Sequence, residues 1–185
     1  MMRELADNIM DIAQNSISAG ASLVEIEISV SHEKDSIGFV FRDNGCGMSP
    51  EMVKSVAEPF TTTRKTRKVG LGLPLLSQTA MMTGGDFGIQ SEVGRGTTVT
   101  VSFGLSNIDR PPMGDTSGAL FSLVLMNPDI DFVFVYDYDG NRFEFDTREI
   151  SKMVAPIPLT NPEISAWIKE CLYQEISELH GGLFS

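Results

Sequence analysis

The sequence predicts an α+β chain folded as a two-layer α/β sandwich, with helices on one face of a mostly antiparallel sheet. Three observations carry this. Segments with helical and strand periodicity follow one another as helix, two strands, helix, loop, helix, two strands. The links inside each strand pair are of hairpin length, which antiparallel neighbours permit and parallel ones do not. The first helix has one apolar side, which needs a second layer to cover it.

From Glu4 to Ala19, Leu5, Ile9, Ile12, Ala13 and Ser16 fall on one side of a helix, while Glu4, Asn8, Asp11 and Asn15 stack along the opposite stripe. Gly20 ends it. Val24, Ile26, Ile28 and Val30 then alternate with Glu25, Glu27 and Ser29, the period of a strand with one buried face. A polar turn from Ser31 to Ser36 leads into a second strand over 37–42, and Asp43-Asn44-Gly45 breaks it. Ser49-Pro50-Glu51 starts a short helix, with serine as cap and proline in the first turn, and Glu58-Pro59 stops it. Residues 60–72 have neither period, which marks a ligand or lid loop. A third helix is expected over 73–83, stopped by Gly84-Gly85, and two further strands over 87–91 and 97–103.

The character changes after Leu105. Ile108-Asp109-Arg110-Pro111-Pro112 reads as a linker, followed by an apolar stretch to Met126, a type I′ hairpin turn at Asp139-Gly140 and a last helix from Pro162 to about His180. Two units are therefore expected, 1–105 and a small α+β extension over 106–185. In the last helix Trp167, Ile168, Leu172 and Ile176 form an apolar stripe.

A formal net charge of -11 sets the field against nucleic acid and anionic lipid, so neither is expected as a partner. The one basic cluster, Arg64, Lys65, Arg67 and Lys68, lies beside a glycine-rich segment and is read as a loop over a polyanionic ligand. The sequence has no apolar run near the roughly 20 residues that span a bilayer, and the cytoplasm is the expected compartment. Cys46 and Cys171 have no C-x-x-C spacing and are expected to be reduced thiols. The aspartates at 129, 131, 137 and 139 lack the spacing and closing glutamate of a calcium loop.

Four segments stand out for chemistry: ELADNIMDIAQNSISAGA, DNGCGM, EPFTTTRKTRKVGLGLPL and VGRGTTVTV. In this order and spacing, over residues 4 to about 104, they resemble the GHKL ATPase superfamily of gyrase, Hsp90, histidine kinases and MutL. The histidine kinase-like ATP-binding domain is the nearest likeness. The resemblance implies a Bergerat-type fold that binds ATP and Mg2+. It makes Asn15 the magnesium ligand, and an amide oxygen is a hard donor of the kind magnesium takes beside phosphates. One turn earlier Asp11 matches the position of a water-activating glutamate, a carboxylate retained with one methylene less. Asp43 matches the aspartate that accepts from the adenine amino group, with Gly45 and Gly47 letting the backbone approach the ring. Gly70, Leu71, Gly72 and Leu73 match the GLGL box, whose amides and following helix start face the phosphates. Thr62 lies in a stretch similar to the PFxTT of one kinase class, and Arg67 or Lys68 would reach the triphosphate from the lid. Thr97 or Thr98 would support Asp43, and the family position favours Thr97.

The resemblance leaves the reaction open between two classes. A stand-alone kinase or ATPase subunit would act on or with a protein partner or phosphoacceptor on another chain, since His32 and His180 have no acceptor-helix context. A nucleotide-gated binding module, like the anti-sigma factors of the superfamily, would order its lid over ATP and present a surface.

Overall fold

The structure, a computed structural model, describes residues 4–57 and 72–180. Its elements are α1 (Leu5–Ser18), β1 (Leu23–Ser31), β2 (Ser36–Asp43), α2 (Pro50–Ala57), α3 (Gly72–Met82), β3 (Phe87–Glu92), β4 (Gly96–Gly104), α4 (Thr116–Met126), β5 (Asp131–Tyr138), β6 (Asn141–Asp146), α5 (Thr147–Val154) and α6 (Pro162–Leu179). The strands form one six-stranded sheet in the order β3-β4-β2-β1-β5-β6. All neighbours are antiparallel except β1 and β5, which run parallel. This is the α+β fold that the sequence predicts.

The strand periods become the inner face. Ile26, Ile28 and Val30 of β1 lie level with Phe41, Phe39 and Ile37 of β2, which in turn face Val99, Val101 and Phe103 of β4. All are buried, and they meet Leu5, Ile9, Ile12 and Ala13 of α1 and Leu73, Leu76 and Ala80 of α3 in one core. Asn8, one of the polar stripe, is buried. The reason is lateral: α1 packs against α3 and α4 as well as the sheet, so the covered arc is wider than one helix face.

The segment after Leu105 continues the same sheet. Leu23 to Val30 pair in parallel with Asp131 to Tyr138, and Phe132, Phe134 and Tyr136 extend the buried row of β1. Val133 and Val135 point to the opposite face and are buried there, in a hollow whose walls include Glu25, Glu27, Arg42, Arg142 and Glu144. The expected linker holds α1, because Leu5 N–H donates to the Pro112 carbonyl (2.8 Å) and Ala6 N–H to that of Met113 (2.9 Å). Two orphan donors of the first turn are thereby satisfied.

The apolar stretch to Met126 is α4, wedged between α1 and α6. The β5–β6 connection is the expected I′ turn, with φ of 50° at Asp139 and 85° at Gly140. In α6, Ile168, Leu172 and Ile176 enter the core, whereas Trp167 stays 49% exposed, since it sits about 100° round the helix from Ile168. His180 is half-buried and bonded to Tyr136.

Candidate nucleotide site

The carboxyl end of α1, the end of β2 and the start of β4 converge on Asp43. Asp43 lies directly opposite Thr97 in the β2–β4 ladder, on the inner face. Its Oδ2 accepts from the Ser16 hydroxyl at 2.8 Å, and its Oδ1 accepts from the backbone N–H of Gly45 (2.9 Å) and of Thr97 (3.3 Å). Three donors from three elements fix this carboxylate. A carboxylate has about four acceptor positions, so acceptor capacity remains for a further donor.

The loop that follows is equally pinned. Asn44 Oδ1 accepts from Ser22 N–H (2.9 Å) and Leu23 N–H (3.0 Å), and its amide donates to the Ser22 hydroxyl (2.9 Å). Cys46 N–H donates to the Ala19 carbonyl just past α1, and Gly94 N–H to the Cys46 carbonyl. Gly47 has φ +65°, and an added Cβ would collide with the Glu92 carbonyl. Ser91 completes the support. It accepts from Met48 N–H (2.8 Å) and donates to the Gly96 carbonyl (2.9 Å), so the 2.9 Å contact with Thr97 must be a donation from Thr97.

Asp11 and Asn15 stand four residues apart on one face of α1. Both are exposed, and among the described residues neither side chain makes a hydrogen bond. Gly72 is the first residue of α3, and the buried Leu73 anchors that helix end. The far end of α3 is tied to the far end of β4 by Gly104 N–H to the Thr83 carbonyl (3.0 Å). Its amino terminus is therefore directed to the Asp43 end of the sheet, and a helix amino terminus presents N–H groups of the kind anions take. Thr62, Arg67, Lys68, Gly70 and Leu71 lie outside the described residues.

The structure thus gathers Asn15, Asp43, Gly45, Gly47 and Thr97 at one end of the sheet, with Asp11 one turn back and Gly72 and Leu73 opening α3. The register separates the two threonines: Thr97 faces Asp43, whereas Thr98 pairs with Arg42 on the other face. Sequence reasoning missed Ser16 and Ser91. Ser16 gave a signal, as the one hydroxyl in the apolar stripe of α1. Ser91 continues the inward alternation of Phe87 and Ile89 and was equally readable.

Residues 1–107 match the family model described as histidine kinase-, DNA gyrase B- and HSP90-like ATPase. The chain belongs to this family. Among similar proteins, sporulation kinase D of Bacillus subtilis is 34% identical over 98 residues, covering 53% of this chain and 19% of the kinase. Histidine protein kinase DivJ of Caulobacter vibrioides is 27% identical over 103 residues, 54% of this chain and 17% of the kinase. The chain therefore spans less than a fifth of the length of these kinases. A crystal structure of the N-terminal domain of a DNA repair protein superposes with a TM-score of 0.52 at 19% identity, over 77% of this chain and 52% of that one. That coverage exceeds the family match, so the shared fold reaches into the segment after Leu105.

In this histidine kinase-like ATP-binding domain, three donors hold the Asp43 carboxylate in one orientation. Replacing Ser16 by alanine removes one of the three donors that orient it, while alanine suits the buried helix position. A loss of about 1 kcal/mol, roughly fivefold in ATP affinity, is expected with little change in stability. Calorimetric titration beside a denaturant melt tests this, and unchanged affinity would remove Ser16 from the site.

Proposed function

We propose that this chain is an ATP- and magnesium-binding catalytic subunit, a stand-alone kinase or ATPase that acts on or with a separate regulatory protein. The observation that carries the reading is the fixed Asp43 carboxylate, next to a helix on which Asp11 and Asn15 stand one turn apart with no side-chain hydrogen bond among the described residues. Asp43 would accept the adenine amino proton, with Gly45 and Gly47 keeping the loop backbone close to the ring. Thr97 donates to Ser91 and keeps its own lone pairs free to receive a water beside Asp43. Asn15 would hold magnesium through its amide oxygen. That ion, when bound, offsets the negative charge of the phosphates. Asp11, one turn before Asn15, would take a proton from a water or an acceptor group at the terminal phosphate, a role that needs hydrogen-bond reach of about 3 Å. The amino terminus of α3, from Gly72, would face the phosphates, and Thr62, Arg67 or Lys68, Gly70 and Leu71 would complete their contacts.

Two variants test the assignment. In Asn15→Ala the gain in ATP affinity on adding magnesium disappears while the melting transition is kept. In Asp11→Asn, ATP still binds, but phosphate release or label transfer from γ-labelled ATP falls by about a hundredfold or more. Undiminished magnesium-dependent affinity in Asn15→Ala sinks the metal assignment. Tight binding with neither release nor transfer, even in the wild type, would make the chain a nucleotide-gated binding module.

A further inference from the structure

Far from Asp43, at the other end of β5, both histidines of the chain meet around one tyrosine. The Tyr138 ring lies 5.4 Å from that of His32 and 4.2 Å from that of His180, centre to centre. The Tyr136 hydroxyl lies 2.6 Å from His180 Nε2. Tyr136 is 2% exposed, and burial first, then Tyr138, pushes its phenol far above the ordinary value, so it keeps its proton and is the donor. His180 Nε2 must then offer a lone pair, which only the neutral imidazole has.

We propose that His180 is a pH-sensitive latch that fastens the carboxyl end of α6 to β5, closed while its imidazole is neutral and released when it takes up a proton. On protonation two donors confront each other, and the buried phenol proton is left without an acceptor. The surroundings add to this. Burial and the neighbouring His32 hold the His180 imidazole below its usual value. His32 reaches the group from the β1–β2 turn, where it is itself tied to Asp139 of the hairpin, Nδ1 to Oδ2 at 2.7 Å. From α4, the carboxylate of Asp115 is turned onto its own helix, accepting from Gly118 N–H (2.8 Å) and the Ser117 hydroxyl (3.1 Å). Among the described residues Tyr173 of α6 also lines this neighbourhood, and a cavity of about 170 Å³ gives water a path to His180. Its wall includes Met113, whose carbonyl caps α1, so the latch stands at the foot of the helix that carries Asp11 and Asn15.

Because the folded state disfavours the imidazolium, the unfolded chain binds more protons below the ordinary histidine value of about 6.5. The contribution of His180 is therefore complete above that pH and declines as pH falls through it.

The test uses the full 185-residue chain. Following the His180 imidazole by two-dimensional NMR should give a titration midpoint below about 6.5. Amide exchange, corrected for intrinsic rates, should show the last two turns of α6 losing protection by about tenfold between roughly pH 7.5 and pH 5. In His180→Gln that pH response should vanish. A midpoint at or above the ordinary value overturns the latch whatever the variant does. So does equal loss of protection in His180→Gln, or protection unchanged with pH in the wild type.

Discussion

A chain ended after Leu105 is expected to lose its cooperative unfolding transition, and nucleotide binding with it. The cut removes β5 along the whole pairing from Leu23 to Val30 and leaves one edge of β1 bare. Among the described residues the core cluster has 29 buried members, and ten of them lie beyond Leu105, including Phe132, Phe134, Tyr136 and Leu172. Burying a side chain of that size contributes about 1.5 to 3 kcal/mol, while the net stability of a domain is only about 5 to 15 kcal/mol. The cut also deprives Leu5 and Ala6 of the carbonyls that cap α1, the helix bearing Asp11, Asn15 and Ser16. Circular dichroism during a denaturant titration, with ATP binding on the same samples, decides the matter. A 1–105 fragment that melts cooperatively and binds ATP as the whole chain does would make the remainder a separable unit.

Gly47→Ala should do nearly as much damage with a single methyl group. Beyond the collision with the Glu92 carbonyl oxygen, the new Cβ would lie 2.7 Å from the Glu92 carbonyl carbon and 3.1 Å from Gly96 O. The left-handed backbone costs about 1 to 2 kcal/mol, and forced repacking typically about 1 to 3 kcal/mol more. The displaced atoms are backbone of the β3–β4 turn, next to Thr97, so Asp43 should lose its setting too. A fall in ATP affinity of at least about tenfold is expected. Gly94→Ala is the control, because Gly94 has φ +80° but nothing within 4 Å of a Cβ. Should the two variants have the same denaturant midpoint, the steric account of Gly47 fails.

What the sequence made legible follows which residues had one face buried and which had two. β1 alternates cleanly because its outer residues, Glu25, Glu27 and Ser29, are only partly covered. β5 carries FVFVY with both faces buried, so no period reveals it. α4 is apolar nearly all round although only Thr116, Leu120, Leu123 and Val124 are buried and Leu125 and Met126 are exposed, so no polar face marks out its inner stripe. α5 is a different case. Asp146 accepts from Arg148 N–H at its start and Glu149 stands three residues on, a cap signal that was present and passed over. In the site, Asn15 and Asp11 could be found because four-residue spacing is visible in a string of letters. The choice between Thr97 and Thr98, and the bond from Ser16 to Asp43, depend on which strands and helices meet, which no local pattern states.

The parallel pairing of β1 with β5 also imposes an order in time. These strands lie roughly a hundred residues apart in the chain, although β1 has its antiparallel partner β2 almost at once. A ribosome adding about 5 to 20 residues per second leaves β1 with a row of unclaimed N–H and C=O groups for several seconds before β5 emerges. During that interval the alternating glutamates 25 and 27 are the charges that discourage a neighbouring nascent chain from taking the place of β5.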